Sequence, residues 1–301
     1  MQSPEEPIQD TLPPFLDIKA APARDGTFGM TVFPVPYEKT TSYVRGTARA
    51  PFEIVMASQQ VELYDDETGV DLSSLSLLTE SAILAESLDA LEKQLTTALT
   101  RRTFPILIGG EHTLTLPALR TLSRGRPLSV LSLDAHADMR DEFLGSSINH
   151  ATVMRRVSEI CPVVVAGVRS ISPEEMSSLH SLPVRLYRSH DLIRGTLTAE
   201  EIIHDLRGDV YLSVDVDVFD PSLVPSVGTP EPGGLDWYQV TGIIRRVFEE
   251  RVVVGMDVVE LCPQPYQHAA VFTVAKMIFK AMCYLYASDP VRFGRVDSVS
   301  P

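Results

Sequence analysis

The sequence predicts an α/β fold of three layers, in which a mostly parallel central sheet lies between two layers of helices. Short continuous runs of Val, Ile and Leu alternate with amphipathic segments through most of the chain. Strands that are apolar at every position are typical of a parallel sheet whose two faces are covered by crossover helices. Acidic residues and histidines collect where several of these strands end. Ligands of such sheets bind outside the carboxyl ends of the strands, so we expect the functional site at that edge.

The N-terminal third of the chain predicts fewer regular elements. Residues 1–25 are rich in proline and acidic side chains, and we expect a loosely packed arm there, followed by a single domain over residues 26–301. A β-like run, a helix-like segment and an acidic, turn-rich segment come next, at residues 28–36, 52–58 and 61–71. Apolar residues at helical spacing, with Glu early in the segment, predict one long surface helix over residues 76–100.

From residue 104 onward, predicted strands and helices alternate. We predict strands over residues 104–108, 128–133, 163–168, 184–187, 210–217 and 252–259. We predict helices over residues 114–123, 150–159, 173–181, 199–206 and 237–250, and a C-terminal helix after them. No break in composition marks a boundary within these 301 residues, which indicates one large domain.

The charge of the chain argues against one class of function. Forty acidic residues against 26 Lys and Arg give a formal net charge of −14. Binding to nucleic acid without sequence preference needs clustered cationic side chains that neutralise phosphates, so no nucleic-acid partner is expected. An acidic surface is compatible with a small cationic substrate.

The cysteines, the N-terminus and the apolar segments indicate a cytoplasmic protein without a membrane span. An odd number of cysteines in scattered apolar contexts suits a reducing compartment: Cys161, Cys262 and Cys283. The N-terminal segment is acidic and lacks an apolar run, so we expect neither a secretory signal nor a transit peptide. The longest apolar-rich segment, residues 269–287, is interrupted by Lys276 and Lys280 at helical spacing, which is typical of an amphipathic helix.

Two aspartates end the predicted strand at residues 210–217. Asp215 and Asp217 are two residues apart, so on a strand both side chains point to the same face. Two carboxylates this close repel each other and are costly to bury, so the pair needs a compensating cation or a water-filled mouth. A metal site fits this pattern best, and a solvated strand end is the alternative.

Three further predicted strands end in polar residues. Residues 104–108 are followed by Gly109 and Gly110, whose freedom to turn sharply lets His112 face the sheet edge. Taken alone, His112 fits a helix cap or a satisfied core histidine equally well. Asp134, His136 and Asp138 follow the next strand and alternate with alanines, and Glu260 follows the last one. Packing gives no reason to place acids and histidines at four strand ends, so we predict that they form one site.

The types of side chain in this set favour particular metals. Two histidines and four aspartates, without cysteine, favour manganese over a structural zinc site, with iron, cobalt or nickel as alternatives. Four carboxylates are neutralised by two divalent ions. Paired ions of this kind turn water into a nucleophile near neutral pH, so we expect a binuclear hydrolase.

Five ordered motifs carry a resemblance to a known family. They are GGEHT at 109–113, DAHAD at 134–138, SVDVDVFDP at 213–221, GTPEPGGL at 228–235 and DVVEL at 257–261. Their order and spacing resemble the ureohydrolase superfamily, the arginase and agmatinase family, from about residue 30 to the C-terminus. Within that family the segment DMRDEFLGSSINHATVMRR at 138–156 is most similar to agmatinases and aminopropylagmatine ureohydrolases.

The resemblance implies a role for each site residue. It implies one manganese ion held by His112, Asp134, Asp138 and Asp215, and another held by Asp134, His136, Asp215 and Asp217. It implies that Glu260 binds the guanidinium group of the substrate and that His150, which also contacts substrate, shuttles a proton. Asp138 would orient the attacking water, and the family's usual assembly implies a homo-oligomer, a trimer or hexamer.

The substrate implied by the resemblance is a guanidino-amine. Agmatine, which would yield putrescine and urea, is the first candidate, and N1-aminopropylagmatine, which would yield spermidine and urea, is the second. Acidic loop residues would receive the distal ammonium group, namely Asp65, Asp66, Asp71, Asp141 and Glu142. Arginine or guanidinobutyrate would instead need a cationic partner for its carboxylate, such as Arg140 or Arg169.

Two other classes of function are weighed against this one. A non-catalytic scaffold that keeps the fold would be expected to lack a metal ligand, and all six are present. A deacetylase of related architecture would not need both the DAHAD and the SVDVD motifs. The sequence also departs from the family at Glu111 and Thr113, where Asp and Ser are frequent, and we interpret these as tolerated variants beside a ligand.

Overall fold

The structure, a computed structural model, describes residues 12–19, 29–99, 103–290 and 292–293. Its ten strands are β1 Gly29–Val35, β2 Tyr64–Asp65, β3 Val70–Asp71, β4 Leu77–Thr79, β5 Thr103–Gly109, β6 Leu128–Leu133, β7 Val163–Val168, β8 Val184–Arg188, β9 Asp209–Asp215 and β10 Val253–Val259. Eight of them form one sheet in the order β4-β1-β5-β10-β9-β6-β7-β8, and every pair in it is parallel. β2 and β3 form a separate antiparallel hairpin.

Helices cover both faces of the sheet. They are α1 Ala50–Ser58, α2 Leu88–Ala98, α3 Thr115–Leu122, α4 Val153–Ser158, α5 Pro173–Ser178, α6 Ser189–Arg194, α7 Ala199–Asp205, α8 Trp237–Glu250 and α9 His268–Ser288. Apolar residues of α1, α7, α8 and α9 share one core with the sheet. Those of α2, α3 and α4 share a second core on the opposite face. The prediction of a three-layer fold with a mostly parallel sheet is therefore confirmed.

The central strands are mostly apolar on both faces because each face meets a different core. In β5, Ile106 and Ile108 pack into the core beneath α1 and α9, whereas Leu107 packs into the core beneath α2 and α3. β9 repeats the pattern with Leu212 and Tyr211. Successive side chains of a strand point to opposite faces, so a sheet with two covered faces needs an apolar residue at each position.

The long helix predicted over residues 76–100 is wrong in its first half. Leu77 and Leu78 lie in the edge strand β4, where they pair with Met30 and Thr31 of β1. The helix begins only after Ser87, whose hydroxyl oxygen accepts a hydrogen bond from the backbone N of Ala90 at 3.2 Å. A short strand next to β1 outweighed the helical spacing, and the serine cap marks the true start.

The predicted strand over residues 210–217 is too long. β9 ends at Asp215, and the next three residues, Val216–Val218, form a turn of 3-10 helix. The strand argument that placed Asp217 on the same face as Asp215 is therefore wrong. The two side chains stay together for another reason, since the backbone N of Asp217 donates to Oδ1 of Asp215 at 2.9 Å. Helix α6 was not predicted.

Part of the predicted N-terminal arm packs on the sheet layer. Phe15, Leu16 and Ile18 are buried in the core beneath α1, and the backbone N of Leu16 donates to the hydroxyl of Ser58 at 2.9 Å. Loose packing is therefore wrong for residues 12–19. Residues 1–11 and 20–28 lie outside the described residues, and the division into an arm and one domain stays a prediction.

The C-terminal helix α9 is a core element. It is long and apolar enough to cross a membrane by length and composition, but most of that apolar stretch is buried within the fold. It packs beside α1 and α8 and contributes residues such as Ile278 and Phe279 to the core.

Candidate metal centre and substrate cavity

Four neighbouring strands supply the candidate site. β5, β10, β9 and β6 are adjacent in the sheet. His112, Glu260 and the segment 134–138 follow β5, β10 and β6, and Asp215 is the last residue of β9. Parallel strands end on the same edge, so residues far apart in sequence meet there. The backbone N of His112, for example, donates to Oε1 of Glu260 at 2.7 Å across 148 residues.

A glycine permits the turn that brings His112 to this edge. A Cβ atom on Gly110 would lie 2.2 Å from the carbonyl oxygen of Tyr37, so no other residue fits beside that chain. The backbone N of Glu111 donates to the same carbonyl at 2.8 Å, and His112 then begins a 3-10 turn. The glycines are needed there because they are small, and not for a left-handed turn, since neither Gly109 nor Gly110 has a positive φ.

One group of side chains surrounds the imidazole of His112. Its Nδ1 lies 3.3 Å from Oδ2 of Asp134, 3.2 Å from Oδ2 of Asp138 and 3.3 Å from Oδ2 of Asp215. All four residues are buried.

A second group surrounds His136 and shares Asp134 with the first. Nδ1 of His136 lies 2.7 Å from Oδ2 of Asp217 and 3.9 Å from Oδ1 of Asp134. Backbone N–H groups orient both carboxylates. Ala135 donates to Oδ1 of Asp217 at 2.9 Å, and His136 donates to Oδ1 of Asp134 at 2.7 Å. The structure thus brings together all six side chains that the sequence singled out as metal ligands.

The chemistry of these donors fits divalent cations. Nδ1 of His112 and Oδ2 of Asp134 are buried and have no hydrogen-bond partner among the described residues. Buried polar atoms nearly always have a hydrogen-bond partner. A ring nitrogen and a carboxylate oxygen that face each other without one therefore indicate a bound ligand that contacts both atoms. The donor atoms of His112, Asp134 and Asp215, and likewise those of Asp134, His136 and Asp217, lie within 4.8 Å of one another. The cluster can therefore hold metal ions.

The protonation equilibria of these groups reflect the crowding of charge. Burial, followed by the charge of Asp138, raises the pKa of Asp134 to about 7, and burial also raises the pKa of Asp215 well above its usual range. Burial opposes protonation of His136, but the carboxylate of Asp217 raises the pKa of His136 to about 11. Burial opposes ionisation of Asp217, but the charge and hydrogen bond of His136, together with the hydrogen bond from the backbone N of Ala135, lower the pKa of Asp217 to about 2. Carboxylates that are costly to ionise together are stabilised by a multivalent cation.

A buried hydrogen-bond chain lies behind His112. Its Nε2 is 2.9 Å from the hydroxyl oxygen of Ser213, which donates to Oδ1 of Asp257 at 2.6 Å. Oδ2 of Asp257 accepts from Tyr211 and Thr115, each at 2.8 Å. Because the hydroxyl proton of Ser213 is given to Asp257, its oxygen accepts from Nε2–H of His112. The proton therefore stays on Nε2, and the lone pair of Nδ1 faces the carboxylates.

Asp138 and Glu260 have left-handed backbone conformations, with φ of 51° and 65°. Such values are uncommon for residues other than glycine and cluster at functional sites. Backbone hydrogen bonds hold both residues. The N of Glu260 donates to the carbonyl of Gly110, just after β5, at 2.8 Å, and the carbonyl of Asp138 accepts from the N of Arg155 in α4 at 3.1 Å. Burial raises the pKa of the Glu260 carboxyl group to about 8.

The cluster opens into a cavity of about 170 Å³. Asp138, Asp215, Asp217, His136 and Glu260 line one part of its wall, and Ser42, Arg140, Phe143, His150, Gly228 and Thr229 line much of the rest. The ring of His150 packs edge-on against Phe143, with ring centroids 5.9 Å apart. Its Nε2 lies 3.1 Å from the hydroxyl of Ser42. All of the predicted catalytic residues thus border one space.

Several other candidates do not face this cavity as expected. Asp65 is buried and accepts from Nζ of Lys280 at 2.7 Å, and Asp141 pairs with Arg156. Arg169 donates to the backbone carbonyls of Asp217 and Glu231, at 2.6 and 2.8 Å, so it supports the chain behind the cluster. None of these three residues lines the cavity, and each side chain has a partner within the fold. The geometry therefore does not favour their assignment to the substrate tail, which stays a prediction.

Four residues that contact the site were not predicted from the sequence. Ser213 and Asp257 are polar positions inside apolar strands, and that pattern could have revealed them. Thr40 and Ser42 belong to a loop about 110 residues before His150, and no local pattern marks them.

A parallel α/β sheet with a cluster of carboxylates and imidazoles at its carboxyl edge defines a class of metal-binding α/β proteins. The sequence model of the Arginase family matches residues 28–284. The chain belongs to the arginase family, and the resemblance seen in its motifs is confirmed.

Individual relatives cover nearly the whole chain. An N(1)-aminopropylagmatine ureohydrolase of Synechocystis sp. is 35% identical over 274 residues, which cover 85% of this chain and 88% of the relative. An agmatinase of Pyrococcus horikoshii is 32% identical over 274 residues, which cover 88% of this chain and 93% of the relative. The crystal structure of an agmatine ureohydrolase of Thermoplasma volcanium aligns with a TM-score of 0.81 at 29% identity, over 93% of this chain and 97% of that one.

Proposed function

We propose that this protein is a binuclear manganese hydrolase that cleaves a guanidino-amine to urea and a polyamine. The observation that carries the proposal is the position of Glu260, whose carboxylate borders the same small cavity as the histidine and aspartate cluster. A carboxylate binds a guanidinium group through charge-assisted hydrogen bonds, so a guanidine carbon can be held beside the cluster.

Two sets of residues would hold the ions. His112, Asp134, Asp138 and Asp215 would form one set, and Asp134, His136, Asp215 and Asp217 the other. Oxygen-rich sets that include imidazole favour manganese. Bound divalent ions lower the pKa of water, so that water becomes a nucleophile near neutral pH.

The residues around the cavity would bind the substrate, orient the water and transfer a proton. Oε1 of Glu260 already accepts a hydrogen bond from His112, which leaves Oε2 for an N–H group of the guanidinium. Asp138 would accept a hydrogen bond from the attacking water and orient it towards the guanidine carbon. His150 would deliver a proton to the nitrogen that leaves, so that the C–N bond breaks to give an amine and urea.

Agmatine is the first candidate substrate, and N1-aminopropylagmatine is the second. The agmatinase and the agmatine ureohydrolase among the relatives favour the first, and the relative from Synechocystis sp. favours the second. Arg140 lies over the ring of Phe143 at 5.1 Å and borders the cavity, which leaves it as the remaining partner for a substrate carboxylate. Arginine and guanidinobutyrate therefore belong in the test.

Urea release by the manganese-loaded protein tests the proposal across agmatine, N1-aminopropylagmatine, arginine and guanidinobutyrate. We expect urea from one of the two amines, and none from an Asp215→Ala variant. A panel without urea, measured on protein with two bound manganese ions per chain, would refute the proposed function.

The compartment and the assembly are part of the same proposal. The three cysteines are free and buried, which supports a reducing compartment such as the cytoplasm. We propose a homo-oligomer, a trimer or hexamer, and light scattering after size exclusion measures its mass.

A further inference from the structure

Glu111 is a buried carboxylate directly before the candidate ligand His112. Its Oε2 accepts from the backbone N of Lys39 and of Thr40, both at 2.6 Å. Its Oε1 accepts from the hydroxyls of Thr40 and Thr113, at 2.8 and 2.6 Å. Four short hydrogen bonds compensate the burial of the charge, and they attach the loop that contains Thr40 to the end of β5.

Thr40 also contacts His150. Its hydroxyl oxygen accepts from the backbone N of His150 at 3.1 Å and lies 3.4 Å from the ring Nδ1. A hydroxyl has one proton, and that of Thr40 is given to Glu111. The oxygen therefore presents only lone pairs to the imidazole, which favours a proton on Nδ1 of His150.

This arrangement determines what the other ring nitrogen can do. With the proton on Nδ1, the Nε2 atom of neutral His150 has a free lone pair beside Ser42, at the wall of the cavity. That nitrogen can then take up a proton and release it to a leaving amine.

We propose that Glu111 is a positioning residue that acts through Thr40, fixing both the place of His150 and the protonation of its Nδ1. The inference rests on the proposed function, in which His150 transfers the proton. It gives Glu111 a specific role, whereas the sequence alone suggested a tolerated variant. Thr40 is the link, because it contacts both the carboxylate and the imidazole.

Paired valine substitutions test this role. Thr40→Val and Thr113→Val each remove one hydroxyl from Oε1 of Glu111, but only Thr40 contacts His150. In the manganese-loaded enzyme we expect Thr40→Val to lower kcat about tenfold or more, part of the ~100-fold that a general acid contributes, with KM changed less than about twofold. Thr113→Val should retain kcat, and Thr40→Ser, which keeps the hydroxyl, should restore it.

A second measurement does not depend on activity. In metal-free protein labelled with ¹⁵N-histidine, the ring shifts of His150, assigned by loss of its signals in His150→Asn, report which nitrogen is protonated. We expect the Nδ1–H form in the wild type and in Thr113→Val, and a changed ratio of the two forms in Thr40→Val.

Equal losses of kcat in both valine variants, or identical ring shifts in Thr40→Val and the wild type, would overturn the inference. A wild-type protein that releases no urea from any substrate would refute the proposed function instead, and the ring shifts would still decide the role of Thr40.

Discussion

Two histidines of this site are each oriented by a hydroxyl group that donates its proton to a buried carboxylate. His112 contacts the hydroxyl of Ser213, which donates to Asp257, and His150 contacts the hydroxyl of Thr40, which donates to Glu111. In both chains the hydroxyl proton is given to the acid, so the oxygen accepts from the ring. Such contacts fix which ring nitrogen is protonated and how the imidazole is oriented, and the identity of the candidate ligands alone does not determine either property.

The hydrogen bond from His112 to Ser213 should raise the affinity of the site for metal. Ser213→Ala removes the acceptor for Nε2 of His112, so we expect manganese affinity to fall about 10- to 100-fold. Titration calorimetry on metal-free protein measures it. Tyr211→Phe is the matched control, since it also removes a hydroxyl group that donates to Asp257 but that does not contact His112. We expect this variant to bind manganese as tightly as the wild type does. An equal loss in both variants would show that Asp257 only stabilises the sheet.

At the scale of elements, the loop after β9 depends on one half-buried guanidinium. Arg169 follows β7 and donates to carbonyls of Asp217, Phe219 and Glu231, at 2.6, 3.2 and 2.8 Å. The carboxylate of Asp220 closes the same loop by accepting from the backbone N of Gly233 and Gly234. The proline-rich segment after the SVDVD motif is thus held from two sides.

Arg169→Lys should loosen this loop. A lysine ammonium cannot serve several carbonyls in the fixed fork of a guanidinium, so buried carbonyls lose their donor. We expect a loss of about 1–3 kcal/mol in the free energy of unfolding in urea, as for buried groups left unpaired. Arg194→Lys, at an exposed position on α6, should leave it unchanged. A stability equal to the wild type in both variants would contradict the role of Arg169.

The sequence predicted the strands of the covered sheet well, because an apolar run between turn signals has a purely local cause. The predicted strands at 128–133 and 163–168 match β6 and β7. The helix over residues 76–100 failed because β4 exists only by pairing with β1, and that contact leaves no local pattern. The position of Asp217 depends on a 3-10 turn that Asp215 caps. The valines on both sides of Asp217 continue the pattern of the strand, so the sequence did not indicate this turn.

The site could be predicted for the same physical reason. Acids and histidines directly after apolar strands must meet at the carboxyl edge, so His112, Asp134 and Asp215 follow from the strand pattern alone. Their roles as ligands, and those of His150 and Glu260, stay predictions. Thr40 and Ser42 could not be found, because their loop reaches the site through the fold and not through a motif.

At the scale of the whole molecule, a partly buried ion cluster joins the β2–β3 hairpin to two helices. Lys280 of α9 donates to Asp65 at 2.7 Å and pairs with Glu67. Glu67 also accepts from Tyr284 at 2.8 Å and from Arg245 of α8 at 2.9 Å. The cluster therefore connects elements that lie about 200 residues apart in the chain.

Removal of the lysine should destabilise the protein strongly. Lys280→Met leaves the buried carboxylate of Asp65 without its cation, a loss of about 3–5 kcal/mol in urea unfolding at neutral pH. Lys276→Met is the control, because Lys276 lies over the ring of Phe279 on the same helix. Equal effects of the two substitutions would rule out the ion cluster as the cause.

The same cluster predicts how stability varies with acid. Burial opposes ionisation of Asp65, but the hydrogen bond from Lys280 holds the pKa of Asp65 below its usual value. A group whose pKa is lower in the folded state stabilises the fold above the unfolded pKa, and that contribution is lost as pH falls through the folded value. The difference between the wild type and Lys280→Met should therefore shrink in unfolding curves recorded towards pH 3.

The strand order limits how much of the sheet can form while the protein is being translated. β10 is the last strand of the described residues, yet it lies between β5 and β9 in the middle of the sheet. Until residue 259 has left the ribosome, the strands β4, β1 and β5 cannot join β9, β6, β7 and β8, because β10 alone bridges them. His112 belongs to one half and the aspartates to the other. The nascent chain can therefore bring together its complete set of candidate metal ligands only after β10 has been synthesised, close to the C-terminal end of the chain.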